Sequence, residues 1–322
     1  MGPTLYFFLI VLILVGFLYA IVRPRPIRIP IKNRHVFVTG GSSGIGLAIA
    51  KAAASYGASR VSILARSSDK LADARESIRL ATGIDVSTYA VDVRDSEAVQ
   101  KAIDDAGSID VLIVNQGVYT PQELEKQKLD DIRFMIDVNL MGTFNVIKAA
   151  LPALKNRGRT LPTSIAIMSS QAGQVGIYGY TAYSASKFGL RGLAEALQQE
   201  VIADNIHVSL IYPPDTETPG FSEEKRVRPE VTSLIAGSST AVSAEEVAKK
   251  ALKGVMSGMF IIPCNFEGML LALATAGLSP QRSCLLALIE VLSAGPLRLV
   301  GLIFQWQWYG IVDKWFAQQK SK

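Results

Sequence analysis

His35-Val-Phe-Val-Thr39 runs directly into Gly40-Gly-Ser-Ser-Gly-Ile-Gly46, and the Ala- and Ile-rich residues that follow read as a helix. The β-branched run predicts a buried strand, and the glycine spacing predicts a tight turn feeding a helix N-terminus. A turn of this kind lets backbone N–H groups approach a pyrophosphate and sets that group on the positive end of the helix dipole. Glycine-rich turns also serve as plain connectors, so the weight comes from the position of this one at the first strand of a strand–helix–strand series. Gly40, Ser42, Ser43, Gly44, Ile45 and Gly46 are the first expected binding residues.

Outward from that turn, short β-branched runs alternate with longer segments of helical spacing. Strands are predicted over 60–65, 85–91, 109–114, 164–169 and 206–212, and helices over 46–56, 68–81 and 182–203. Strands that are apolar throughout and alternate with helices imply a parallel sheet covered on both faces, hence a doubly wound α/β domain of Rossmann type over 31–258.

The ends of the chain are of a different character. Residues 5–22 form an eighteen-residue apolar run, which as a helix would cover about 27 Å, close to a bilayer core. No charge precedes it, whereas Arg23, Arg25, Arg28, Lys32 and Arg34 follow it, so residues 1–30 are expected to form a transmembrane anchor that leaves the next domain in the cytosol. A cleaved signal peptide is the weaker reading, because Pro24 and Pro26 interrupt the place for its cleavage site. Residues 259–322 are expected to be a membrane-associated segment and tail. The apolar stretches 268–278 and 284–304 are interrupted by Gly, Pro or charge, which suggests a helix hairpin that lies at the interface or crosses twice, with the Lys320-Ser-Lys322 tail cytosolic. Trp306, Trp308, Tyr309 and Trp315 read as an interfacial aromatic belt, with a core cluster as the other reading.

Composition closes off several functions. Of 322 residues 49% are hydrophobic and 19% charged, the mean hydropathy is +0.28, and disorder is excluded. Thirty-three Lys and Arg against 28 Asp and Glu give +5, with no basic block interleaved with aromatics, so a nucleic-acid partner is not expected. Cys264 and Cys284 make neither a disulfide framework nor a metal spacing, and two histidines, His35 and His207, both in predicted strands, give poor support to Ser-His-Asp hydrolysis or to a metal centre.

At the end of the second predicted strand, twenty residues after Gly46, an NAD site would hold an acidic residue on the ribose; here stand Arg66 and, a helical turn on, Lys70. These cations favour the 2′-phosphate of NADPH, although Arg66 as a solvated loop cation is the plain alternative. Asp92, closing the third strand, is placed to accept from the adenine amine or to cap the next helix, and Asn115-Gln-Gly117 lies where the cofactor would cross the sheet edge. The decisive grouping is Tyr183-Ser-Ala-Ser-Lys187, with Ser170 thirteen residues upstream at a strand end and Asn139 in an earlier helix. Tyr and Lys four apart share a helix face, so the ammonium can sit beneath the phenol and lower a pKa of about 10 toward the working range.

Over roughly 34–258 these residues resemble the short-chain dehydrogenase/reductase family. The resemblance implies that Tyr183 donates the proton, Ser170 hydrogen-bonds the substrate carbonyl, Lys187 also holds the nicotinamide ribose, and Asn139 anchors a water relay. Two departures stand out: the usual Asn-Ala-Gly is Asn115-Gln116-Gly117, which bears on packing near the nicotinamide, and the usual Pro-Gly after the sixth strand is Pro213-Pro214, at the substrate loop. Within the family, Ser169-Ser-Gln-Ala-Gly-Gln, Tyr180-Thr-Ala-Tyr-Ser-Ala-Ser-Lys-Phe188, Arg191-Gly-Leu-Ala-Glu-Ala-Leu197 and Tyr212-Pro-Pro-Asp-Thr-Glu-Thr-Pro-Gly-Phe221 resemble members that reduce a long-chain amino ketone in the endoplasmic reticulum membrane. Such a lipid resides in the bilayer, at about 0.8 kcal/mol per buried CH₂, and an anchored enzyme could collect it there. A steroid, retinoid or acyl ketone as substrate, and a catalytically silent NADPH-binding scaffold, stay open on the residues alone, as does a homo-oligomer.

Overall fold

The computed structural model describes residues 3–23, 25–237 and 241–320. In chain order the elements are α1 (Pro3–Ile21), β1 (His35–Thr39), α2 (Gly44–Ser55), β2 (Arg60–Ala65), α3 (Ser68–Thr82), β3 (Ser87–Ala90), α4 (Ser96–Ala106), β4 (Val111–Val114), α5 (Leu129–Ile136), α6 (Gly142–Gly158), β5 (Thr163–Met168), α7 (Thr181–Val201) and β6 (Ile206–Tyr212). They continue as β7 (Thr216–Glu217), α8 (Pro219–Val227), α9 (Glu230–Ala236), β8 (Val242–Ser243), α10 (Ala244–Met256), β9 (Ile261–Pro263), α11 (Phe266–Ala274) and α12 (Cys284–Lys320).

Seven parallel strands lie in the order β3-β2-β1-β4-β5-β6-β9, and β7 and β8 form a separate two-stranded parallel ladder. Alternation along the buried strands sorts the side chains into two layers. Val36 and Val38 of β1, Val111 and Ile113 of β4 pack with Ile49 of α2, Leu71 of α3 and Val247 of α10. Phe37, Leu112 and Val114 point the other way, against Val99 of α4, Val146 of α6 and Leu190 of α7. The strand order reverses beside β1, between β2 and β4. In such sheets the crevice for ligands opens there, at the carboxyl ends of the strands.

Both expected borders of the catalytic domain shift outward. Ile29 and Ile31 are fully buried, and the Ile29 N–H donates to the Met256 carbonyl at 2.8 Å, so the basic flank already belongs to the core. Beyond residue 258, β9 completes the sheet, with Ile262 in register with Ile211. The three-residue strand is indistinguishable by hydropathy from the apolar sequence that follows it.

The C-terminal segment also departs from expectation. α11 and α12 do pair, but α12 continues without interruption from Cys284 through Pro296 to Lys320, about 55 Å, instead of breaking at Gly295-Pro296. One proline removes a single backbone donor, whereas the remaining turns satisfy their own amides, the requirement that dominates in apolar surroundings. A double crossing would also need the first stretch as a span, and α11, with nine residues, is too short for one. Trp306 and Tyr309 are 75% and 67% exposed, against a core cluster, whereas Trp308 and Trp315 are half-buried. Of two described helices apolar and long enough to cross a membrane, 129–158 is half buried in the protein and α12 is almost wholly unburied. α1 is also largely bare, with Ile10 and Leu12 about two-thirds exposed, apart from Leu18, which with Val22 just beyond the helix packs on Ala287 of α12. Pro24 and the Ser321-Lys322 tail lie outside the described residues.

The C-terminal segment is tied to the sheet by a buried polar latch. Arg282 donates to His207 Nδ1 at 2.8 Å and to Gln198 Oε1 at 3.0 Å. Receiving a bond at Nδ1, the His207 ring is the neutral Nε2–H tautomer, with Asn205 Oδ1 accepting at 3.1 Å. Burial, reinforced by the Arg282 charge, pushes His207 down to about 4 from 6.5. The folded pKa lies below the unfolded one, so acid favours the unfolded chain: the contribution of His207 is complete above pH 6.5, is lost as pH falls from 6.5 to about 4 and levels off below that. The fall attributable to His207 should reach about 3 kcal/mol. Denaturant titrations of the wild type and His207→Gln between pH 7 and pH 4 should show a shallower acid loss in the variant; equal losses would disprove the latch as an acid-labile element.

Candidate active site

The carboxyl ends of β1, β2, β4, β5 and β6 open into a cleft of about 700 Å³. Its floor begins at the turn between β1 and α2. Gly40 and Gly44 adopt φ of 63° and 52°, the left-handed region that glycine enters freely. Gly46 is required for closeness: a Cβ there would come within 2.2 Å of the Gly40 carbonyl oxygen and 2.5 Å of Asn115 Nδ2. Asn115 in turn donates from Nδ2 to that carbonyl at 3.3 Å and from its backbone to Thr39 Oγ1 at 2.9 Å, pinning the turn to the end of β4. Gly40, Ser42, Ser43, Gly44, Ile45 and Asn115 all line the cleft, while Gly46 lies just behind.

The Gln116 departure has a defined place. Thr39 Oγ1 donates to Gln116 Oε1 at 2.5 Å, and Gln116 Nε2 donates to Thr143 Oγ1 at 3.1 Å, so a side chain longer than the usual Ala bridges β1 to α6.

Arg66 and Lys70 face the outer end of the cleft, and among the described residues neither enters an ion pair; Arg66 leans toward the Phe134 ring at 5.9 Å. Two unneutralised cations beside a helix-start turn suit a phosphate monoester. Asp92 also lines the cleft, but Arg94 holds its carboxylate at 2.7 Å and, foremost among several causes, lowers its pKa. Asp92 does not cap α4; Asp95 does, accepting from Glu97 N and Ala98 N.

At the inner end, Tyr183 and Lys187 on α7 meet Ser170 just past β5. Lys187 Nζ donates to the Met168 carbonyl at 3.0 Å and stands 5.7 Å from the Tyr183 ring centre. The expected lowering of the phenol pKa is overruled by burial, which raises it despite the hydrogen bond from Ser170. Burial also brings Lys187 down to about 8. At neutral pH the phenol thus keeps its proton, which is the state a proton donor to a ketone needs.

Asn139 sits in a π-helical turn, Asp137–Met141, between α5 and α6, a local irregularity that often marks functional positions. Its amide is taken up by the protein: Oδ1 accepts from Val118 N at 2.8 Å, and Nδ2 donates to Val118 O at 2.9 Å and Ser186 Oγ at 3.0 Å. The arrangement positions the β4 exit against α7.

Several lining residues escaped the sequence reading. Tyr119 and Tyr180 place their rings 5.9 and 5.8 Å from Tyr183. Asp215, Glu224 and Arg228 form an ion-pair cluster on the far wall, with Arg228 Nη2 at 2.5 Å from Glu224 Oε1 and 3.3 Å from Asp215 Oδ2. Only Glu224–Arg228, at helical spacing, carried a sequence signal.

The chain belongs to the short chain dehydrogenase family of oxidoreductases, whose profile matches residues 34–228. It is 64% identical over 302 residues to one 3-dehydrosphinganine reductase of Arabidopsis thaliana, covering 94% of this chain and 92% of the relative, and 60% identical over 318 residues to a second, covering 99% and 96%. The 3-ketodihydrosphingosine reductase of Bos taurus is 34% identical over 311 residues, covering 93% and 91%. In fold, the chain is similar to short chain dehydrogenases from Burkholderia phymatum, in complex with NAD (TM-score 0.67, 24% identity, 76% of this chain and 94% of that one), and Burkholderia cenocepacia, in complex with NADP (0.65, 23%, 77% and 94%).

Proposed function

We propose that this protein reduces the 3-keto group of 3-dehydrosphinganine, a long-chain amino ketone, using NADPH. The reading is carried by the meeting of Tyr183, Lys187 and Ser170 at the inner end of a cleft whose outer end presents unpaired Arg66 and Lys70. It is supported by relatives of that name at 60 and 64% identity.

The cleft fits the cofactor. Gly40, Ser42, Ser43, Gly44, Ile45 and Gly46 form the pyrophosphate turn, Arg66 and Lys70 take the 2′-phosphate, and Asp92 and Asn115 border the adenosine and nicotinamide halves. Bound NADPH supplies the hydride to the carbonyl carbon. Ser170 donates a hydrogen bond to the carbonyl oxygen, and Tyr183 passes its proton to that oxygen as charge accumulates there. Lys187, held by the Met168 carbonyl, keeps positive charge beside the resulting phenolate and reaches the ribose. Asn139 is a positioning residue behind them.

Domains follow from the same reading: α1 anchors the chain in the endoplasmic reticulum membrane, the catalytic domain, which begins by Ile29, faces the cytosol, and the apolar part of α12 lies in the same bilayer. A bilayer-resident substrate accounts for the two bare helices beside a soluble-type domain.

Purified protein with NADPH should consume 3-dehydrosphinganine and leave a steroid ketone untouched, and Tyr183→Phe should reduce turnover to below about 1% while retaining NADPH binding. A steroid preference or an active Phe variant would refute the reading.

Arg66→Asp should repel the 2′-phosphate and shift the NADPH/NADH preference by at least about tenfold, 1.4 kcal/mol, toward NADH. An unaltered ratio of the two kcat/KM values would place the phosphate elsewhere.

In sealed microsomes, added protease should digest the catalytic domain. Its protection would reverse the orientation.

A further inference from the structure

The charge cluster on the far wall is unbalanced. Asp215 and Glu224 share one guanidinium, Arg228, so the group carries a formal charge of −1 where it borders the cleft. Glu224 and Arg228 are buried, with side chains 8% and 6% exposed, whereas the Asp215 side chain is 34% exposed. The cluster is held firmly: Tyr180 donates its hydroxyl to Glu224 Oε1, the Arg228 Nε donates to the same oxygen at 2.8 Å, and the guanidinium leans on the Tyr180 and Phe221 rings. Burying charge is costly unless it is matched, and a purely structural pair would need one acid for one base. A surplus carboxylate on the wall of a ligand cleft calls for a cationic group on the ligand.

Its position restricts which one. Tyr180 bridges the cluster to the proton donor, its ring 5.8 Å from that of Tyr183, and both carboxylates act electrostatically on the Tyr183 phenol. The cleft is therefore polarised, cationic at Arg66 and Lys70 and anionic at the wall that Tyr180 links to Tyr183. A neutral steroid or acyl ketone would leave that charge uncompensated.

We propose that Glu224 and Asp215, oriented by Arg228 and Tyr180, form the specificity site for a primary ammonium on the carbon adjacent to the ketone. The assignment rests on the proposed reduction of a lipid amino ketone and names the group by which the enzyme selects it. The ammonium bridges the two carboxylates, while Tyr183 and Ser170 hold the neighbouring oxygen. N-acylation of the amine removes the charge and the basis for recognition.

The test uses the full chain with NADPH and two ketones of equal chain length, 3-dehydrosphinganine and its N-acetyl derivative. The ratio of their kcat/KM values is independent of how much of a preparation is folded, so a variant that folds poorly still gives an answer. Wild type should favour the free amine, and Asp215→Asn and Glu224→Gln should each lower the ratio by about tenfold or more. A ratio that stays at the wild-type value in both variants overturns the assignment and leaves the reductase reading intact. A wild type that reduces neither ketone removes the reductase reading, and this assignment with it.

Discussion

The side-chain amide of Asn139 is the tie on which the geometry of the cleft depends. It meets both backbone groups of Val118 and the hydroxyl of Ser186, whose own hydroxyl donates to the Tyr183 carbonyl at 2.7 Å. One fully buried polar group thus fixes the exit of β4, the helix pair α5–α6 and the reacting turn of α7. A buried amide left without partners would be costly, so this network is closed or it fails as a whole. The π-helical turn is what allows it: one wide turn rotates Asn139 inward from a helix that otherwise presents apolar residues to the sheet.

Within that frame, burial governs the chemistry more than the proximity of charges does. Tyr183 and Lys187 are neighbours on α7, and the simple expectation is that the ammonium drags the phenol down. Desolvation instead raises the phenol and lowers the amine, each toward its neutral form. For a proton donor this is the useful direction, because a neutral phenol has a proton to give. The Met168 carbonyl is then the group that orients Lys187.

The framework was legible from sequence because each strand carries its own pattern. β1, β4 and β6 read as apolar runs, the glycine turn announced the crevice, and the four-residue spacing of Tyr183 and Lys187 showed a shared face. Where chain separation is large, legibility ended. Asp215, Glu224, Arg228 and Tyr119 converge only because β6, α8 and the loop after β4 end at one edge, and no local pattern records that. β9 was lost for a different reason: three residues of strand contain no period, and their neighbours are as apolar as they are. The Pro296 position was misjudged because local propensity was weighed without the helix's length and surroundings.

The same latches make the C-terminal segment part of the catalytic unit. Arg191 of α7 donates to the Ala276 carbonyl at 2.8 Å and Ser279 Oγ at 2.9 Å, and Arg282 reaches Gln198 on the same helix. Gln171, next to Ser170, donates to Asn265 at the start of α11 at 2.8 Å. The helix that carries Tyr183 and the turn that carries Ser170 are therefore each bonded to the segment leading into α12. A displacement of α12 cannot be absorbed by a slack linker; it must strain bonds one residue from Ser170 and four residues from Lys187. With α7 and the turn after β5 both bonded to the segment that leads into α12, the orientation of α12 relative to the cleft is set by the fold itself.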